Sequence, residues 1–246
     1  MTLALKVENL CKSFGGIAVT QNFSLAMDPG ERRLIIGPNG AGKTTLFAQI
    51  TGEIQPDSGS IHVRGQDVTR EPGYTRAHMG LSRTYQIITL FSNETLVHNI
   101  VLGLIGISPR RHQLFTPLTE ADDFYARALE LLEGVGLKHR AQRKVSEISY
   151  GEQRRVEIAL AMAQSPTLLL LDEPLAGLSQ DERVIVSKLI KTISRKTAIL
   201  MIEHDMEMAL AFAEKISVMQ YGKLIVEGYT DAVVNDPRTQ ELYLGH

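Results

Sequence analysis

Apolar and polar positions recur with two different periods along this chain of 246 residues. In the N-terminal part the period is two. Leu3 to Val7 and Ile17 to Met27 carry β-type patterning, and Phe23, Leu25 and Met27 alternate with Asn22, Ser24 and Ala26. Asp28-Pro29-Gly30 is a turn that delivers the chain to a continuous apolar strand, Leu34 to Ile36. A second turn, Pro56-Asp57-Ser58-Gly59, precedes an alternating strand at Ile61 and Val63, and Gly65-Gln66-Asp67 closes that hairpin region. Residues 1–30 and 53–85 are therefore expected to form an antiparallel sheet.

From about Ile87 the pattern turns helical. Thr95 to Leu104 reads as a helix with Thr95 as its cap. Asp122 to Glu133 is amphipathic, with Phe124, Ala128, Leu131 and Leu132 expected on one face, and Gly134 and Gly136 stop it. Residues 87–148 read as a helical lobe inserted into an α/β core. Beyond Ser149 helices and strands alternate. Val156, Ala159, Leu160 and Ala163 make a helical face, Leu168 to Leu171 a strand, and Val186, Leu189, Ile190 and Ile193 a second helical face. A strand at Ala198 to Ile202 and a helix at Met206 to Ala213 follow. Ile216 to Met219 and Leu224 to Val226 are two more strands, with Tyr221-Gly222-Lys223 as the turn between them. Asp236 to His246 reads as a short surface helix. Strands alternating with helices imply βαβ units and a mostly parallel sheet.

Composition narrows this picture only a little. The chain is 43% hydrophobic and 22% charged, ordinary for a globular protein that folds on its own core. Its net charge of −2 gives no global basic field, and no nucleic-acid partner is expected. Cys11 is the only cysteine, which excludes an internal disulfide and a cysteine-based metal cluster. Met1 to Phe14 carries Lys6, Glu8 and Lys12 and has no apolar core of signal-peptide length. No run of about 18 apolar residues occurs, so no membrane-spanning helix is expected.

The chemistry begins at Gly37-Pro38-Asn39-Gly40-Ala41-Gly42-Lys43-Thr44-Thr45, between the Leu34–Ile36 strand and a helical run at Leu46, Phe47 and Ile50. This is G-x-x-x-x-G-K-[ST] in its strand–loop–helix context. Glycines let several N–H groups converge on one anion, and the following helix adds the positive end of its dipole. Lys43 brings a point charge to the outer phosphates of a nucleoside triphosphate, and the Thr44 hydroxyl is placed to ligate Mg²⁺. A second site sits at Leu168-Leu169-Leu170-Leu171-Asp172-Glu173, a buried strand ending in two carboxylates. Ligands of open α/β sheets lie at the carboxyl ends of strands. Asp172 is therefore expected to hold the Mg²⁺ shell through water, and Glu173 to polarise an attacking water. A third stretch, Ile148 to Arg155, holds an S-x-x-E capping box, Ser149 with Glu152. It opens a helix whose free N–H groups and dipole face an anion.

That third stretch, Ser149-Tyr150-Gly151-Glu152-Gln153-Arg154-Arg155, resembles the L-S-G-G-Q signature of ABC-type ATPases. Ser149 and Gly151 match the pattern, while Ile148, Tyr150 and Glu152 depart from it in the manner of importer subunits. The resemblance runs from Leu3 to Leu244. It implies an α/β fold with a P-loop NTPase, RecA-like core, an antiparallel β subdomain and an inserted α-helical subdomain, the core comprising 1–86 and 149–246. It also assigns further residues. Gln86, after Gly80-Leu81-Ser82-Arg83-Thr84-Tyr85, resembles the glutamine that touches Mg²⁺ and the attacking water. His204 resembles the switch histidine that contacts the γ-phosphate. Phe14 resembles the aromatic that stacks on adenine, with core packing as its competing role. In Ala176-Gly177-Leu178-Ser179, Ser179 stands where the family commonly has aspartate.

The resemblance is nearest to ATP-binding subunits of bacterial importers for branched-chain amino acids and related small polar solutes. Its implications are ATP and Mg²⁺ as ligands and ATP hydrolysis as the activity. In this family the signature of one subunit completes the ATP site of another. The expected assembly is therefore an ATP-sandwiched dimer with an identical or a paralogous cassette. It would sit at the cytoplasmic face of the plasma membrane on transmembrane permease subunits, served indirectly by a periplasmic solute-binding protein. The apolar but interrupted Ile87–Ile107 region is the expected docking face. Such a subunit lies outside the translocation path, so no residue is required to recognise cargo. The ATPase of an exporter or lipid-moving complex is the alternative in the same fold. A soluble, non-transport ATPase is a further one, although the chain lacks the long coiled-coil insertion or second cassette of that class.

Overall fold

The computed structural model describes residues 2–112, 123–203 and 210–244. They form two compact units. One comprises Met1–Arg83, Thr167–Glu173 and Ile193–His246, the other Thr84–Pro166 and Pro174–Thr192.

The first unit is built on two sheets. Strands β1 (Leu5–Phe14), β2 (Ile17–Met27), β4 (Ser58–Val63) and β5 (Gln66–Asp67) form an antiparallel sheet in the order β2-β1-β4-β5. Its alternation is the one the sequence predicts: Phe23, Leu25 and Met27 are buried and the residues between them are exposed. The second sheet has the order β10-β9-β3-β8-β7-β6. Its members are β3 (Arg32–Ile36), β6 (Leu81–Thr84), β7 (Leu168–Asp172), β8 (Ala198–Ile202), β9 (Lys215–Gln220) and β10 (Lys223–Tyr229). Strands β7, β8, β3 and β9 run parallel, and β10 returns antiparallel. The turn between β9 and β10 is Tyr221-Gly222, both with positive φ, as the tightest hairpins require.

The structure corrects the boundary of the antiparallel sheet. Leu81–Thr84 belongs to the second sheet, and helix α2 (Gly73–His78) separates it in the chain from β5. Four residues of strand-like pattern specify extended backbone but not the neighbour they pair with, so the sequence could not assign β6 to a sheet. The apolar interior of this unit takes in Leu5, Phe23, Met27, Leu46, Phe47, Ile50, Leu168, Leu170, Leu200 and Met219, all fully buried. Helix α1 (Lys43–Thr51) ends at Gly52 in the left-handed conformation. The expected Met206–Ala213 helix and His204 fall largely or wholly outside the described residues.

The second unit is helical. Helix α3 (Leu96–Gly106) starts at Thr95, whose hydroxyl accepts from the His98 N–H at 3.2 Å. Helix α4 (Asp123–Gly134) buries Tyr125, Ala128 and Leu132, while Phe124 and Leu131 are only partly buried. The stripe is thus turned from the expected Phe124–Leu131 face, because the Tyr125 hydroxyl bonds His98 and draws that ring inward. Helices α5 (Tyr150–Met162) and α6 (Gln180–Thr192) complete this unit. Two short helices, α7 (Thr230–Val234) and α8 (Pro237–Leu244), close the chain in the first unit.

Candidate active site: a phosphate loop, two carboxylates and a capped helix

The loop Gly37–Gly42 leaves β3 at Ile36 and enters α1 at Lys43. Gly42 is the N-cap of α1 with φ of 100°, and a side chain there would collide with the Val19 carbonyl. Only glycine satisfies both conditions. Lys43 is 6% exposed, and its ammonium donates to the carbonyls of Gly37 at 2.7 Å and Pro38 at 3.1 Å. Burial holds that ammonium below the usual lysine range, and the carboxylates of Glu173 and Asp172 draw it part of the way back. The three charges thus share one electrostatic environment. On the same first turn Thr44 is exposed and Thr45 is half-buried.

Register explains why. Ile35 of β3 pairs with Ile202 of β8, and Ile202 pairs with Asp172 of β7. The start of the loop and the first carboxylate therefore sit at one level, two strands apart, or roughly 10 Å across the sheet. Asp172 is 1% exposed, and its Oδ2 accepts from Arg83 Nη2 at 2.6 Å. Glu173 adopts a left-handed φ of 47° and its N–H donates to Ile202 O at 2.9 Å. A non-glycine residue in that region carries strain of order 1 kcal/mol, a cost met most often at functional positions. The kink ends the strand and takes Glu173 off the period-two alternation, so Asp172 and Glu173 do not simply face opposite sides. Phe14 ends β1 and is 46% exposed, its ring 5.4 Å from the Lys12 ammonium. Core packing is therefore not its role.

In the second unit, Ser149 caps α5 with both halves of the capping box formed. Its hydroxyl accepts from the Glu152 N–H at 3.2 Å, and Glu152 Oε2 accepts from the Ser149 N–H at 3.0 Å. Glu152 also pairs with Arg140. Gln86 lies in the loop after β6. Its carbonyl accepts from Arg154 Nη2 at 3.2 Å, and Tyr85 O accepts from Arg154 Nη1 at 2.7 Å. Each unit holds part of the predicted residue set, and His204 is outside the described residues.

Sequence reasoning missed three residues. Arg83 pairs with Asp172 and reaches Glu53 at 3.2 Å. Arg154, fully buried, pairs with Glu157 at 2.7 Å while holding the Tyr85–Gln86 backbone. Glu182 accepts from Ser149 and Gly151. The signal for Arg154 was present. Arginine on the apolar face of an otherwise buried helix demands an acid, and Glu157 stands three residues on.

A nucleotide-type loop at the end of one parallel strand, an Asp-Glu pair at the end of another and a capped helix of signature type define an ATP-binding cassette. The family model described as ABC transporter matches residues 20–176, and the chain belongs to that family, whose members bind and hydrolyse ATP. It is 36% identical to the high-affinity branched-chain amino acid transport ATP-binding protein LivG of Escherichia coli, over 98% of this chain and 97% of that protein. Among solved structures it resembles an ABC-transporter cassette in its ADP conformation, with a TM-score of 0.87 and 30% identity over the whole of both chains. It also resembles a dimeric, post-hydrolysis cassette bound to ADP and Pi, with a TM-score of 0.78 and 25% identity over 92% of this chain and 98% of that one. Transporter cassettes of this kind pair with one another and act with membrane permease subunits. No described helix is long and apolar enough to cross a membrane.

Proposed function

We propose that this chain energises an importer of branched-chain amino acids or a related small polar solute, working at the cytoplasmic face of the plasma membrane. The solute class rests on the similarity to LivG along nearly the whole of both chains. The chemistry rests on one observation: the Ile35–Ile202–Asp172 register brings the phosphate loop and the two carboxylates to the carboxyl ends of strands β3 and β7, on either side of β8.

Each residue then has a task. The N–H groups of Gly37 to Thr45 cradle the phosphates, and Lys43 exchanges its carbonyl partners for the outer phosphate oxygens. Phe14, exposed at the end of its strand, stacks on the adenine ring. Glu173 orients and deprotonates the attacking water, with Gln86 and His204 completing the γ-phosphate surroundings. The donors the first unit would offer to a metal are the Thr44 hydroxyl and the Asp172 carboxylate, and the family resemblance assigns the Gln86 amide oxygen to the same ion. This is an all-oxygen set that suits Mg²⁺. Among the described residues no cluster of three or more His, Cys, Asp or Glu would hold a metal without the nucleotide. Mg²⁺, when bound, neutralises charge on the phosphates.

Ser149, Gly151 and Glu152 belong to the ATP site of a second cassette, identical or paralogous. Their helix end faces the γ-phosphate held by the other subunit's loop, so hydrolysis removes the charge that bridges the pair. For the permease we assign the groove of Phe91, Glu94, His98, Val101, Leu102 and Tyr125. With exposed Ile87, Phe91 and Leu102 it forms an apolar face on the Ile87–Ile107 region. A periplasmic solute-binding protein would deliver cargo to that permease.

The test is Glu173→Gln in the complex recovered from solubilised membranes through a tag on this chain. ATP binding should persist while turnover falls at least about 10²-fold, the usual worth of a positioned base. Turnover at the parent rate removes Glu173 from the base role. Uptake of branched-chain amino acids, and not of sugars, by vesicles that contain the complex and its solute-binding protein would support the solute class.

A further inference from the structure

The N-terminus of α5 already carries an anion, and it comes from the same chain. Glu182, in the first turn of α6, accepts through Oε1 from the Ser149 hydroxyl at 3.1 Å and from the Gly151 N–H at 3.2 Å. Its Oε2 accepts from the Ser179 N–H at 3.1 Å and the Ser179 hydroxyl at 3.0 Å. The Ser179 hydroxyl in turn accepts from the Glu182 N–H at 3.4 Å. Ser179 and Glu182 thus repeat on α6 the reciprocal cap that Ser149 and Glu152 form on α5. One carboxylate satisfies orphan donors of two helices, where both dipoles favour negative charge.

The fit is close. A Cβ at residue 151 would fall on the Glu182 carboxyl, so glycine there admits the acid as well as the signature geometry. The donors from Ser179, followed by those from Ser149 and Gly151, hold the Glu182 carboxyl below the usual carboxylate range, so it is ionised at neutral pH.

We propose that Glu182 is a positioning residue that competes with the γ-phosphate of the second cassette's ATP for the Ser149 hydroxyl and the Gly151 N–H. This rests on the reading that those donors close the partner's site. Two anions cannot share one pair of donors, so closure requires the Glu182 side chain to turn away while Ser179 keeps the α6 cap. Ser179 in place of the family's common aspartate suits this role. A hydroxyl donates to Glu182 and stabilises it, whereas an aspartate beside it would repel it. The effect is a threshold: ATP must displace an internal anion before the pair closes.

The experiment measures the ATP dependence of hydrolysis by the tagged, purified complex for three substitutions. Glu182→Gln removes the charge at nearly constant shape. It is expected to lower the ATP concentration for half-maximal hydrolysis by about tenfold without lowering kcat, the order set by one charge-assisted hydrogen-bonded competitor. Glu182→Asp keeps a charge for the α6 cap but draws it back by one methylene from Ser149 and Gly151. It should shift the midpoint the same way with an unchanged thermal midpoint. If both leave the ATP dependence unchanged, or lower kcat and leave KM alone, Glu182 merely supports α5 and the proposal is overturned. Ser149→Arg separates this from the reading beneath it. Hydrolysis at the parent rate there means that Ser149 closes no ATP site, and both ideas fall. Lost hydrolysis with no Glu182 effect removes the competition alone.

Discussion

At the scale of single residues, charge placement governs the site. Asp172 is a carboxylate buried to 1% exposure, and Arg83 is the cation that bonds it directly. Removing one partner of a buried pair leaves the other uncompensated, at a cost of about 3–5 kcal/mol. Arg83→Met should therefore lower stability by that order in chemical denaturation, and Arg83→Met with Asp172→Asn should recover part of the loss. Equal losses for the single and double variants would show that the pair is not coupled. Residues that act locally and residues that act at a distance differ in how far the sequence reveals them. The loop Gly37–Thr45 and the Asp172-Glu173 step were legible because each is a contiguous pattern with a local physical cause. Arg83 and Glu182 were not, since each acts on a residue 33 or more positions away in the chain. The left-handed φ of Glu173 was also hidden, because no local pattern marks it.

At the scale of elements, α5 does more than present its N-terminus. Arg154, one turn into the helix and fully buried, ties three things together: the Tyr85 and Gln86 carbonyls and the Glu157 carboxylate. Burial pushes the Glu157 carboxyl above the usual carboxylate range, and Arg154 opposes that shift only in part. Arg154→Met should destabilise the protein by about 3–5 kcal/mol, while Arg154→Met with Glu157→Leu should be markedly less harmful. If the losses are instead additive, Arg154 and Glu157 are not coupled. The variant should also impair ATP hydrolysis, since Gln86 loses its backbone anchor. Helix and strand positions were largely legible here, because capping boxes and apolar periods are written locally. The turned face of α4 was not, because the Tyr125–His98 bond that sets it joins two helices. Nor was the sheet of β6, whose partner is chosen by the fold and not by its own four residues.

At the scale of the whole molecule, the proposed function has the chain supply two different halves of an ATP site. In that reading its loop and carboxylates bind and activate ATP. Its capped helix is built for an anion and, by the proposal above, receives one from another subunit. On this account the two halves never act on the same nucleotide. The most direct test separates binding from hydrolysis. ATP binding is measured by equilibrium titration of the isolated chain, and ATP hydrolysis in the complex recovered from membranes, for Lys43→Ala and Ser149→Arg. Lys43→Ala is expected to lose both. Ser149→Arg is expected to bind ATP as the parent does when alone, and to lose hydrolysis by at least about 10²-fold in the complex, the scale set by removing a γ-phosphate donor. Loss of ATP binding by the isolated Ser149→Arg chain, or parent-like hydrolysis by its complex, would contradict the account.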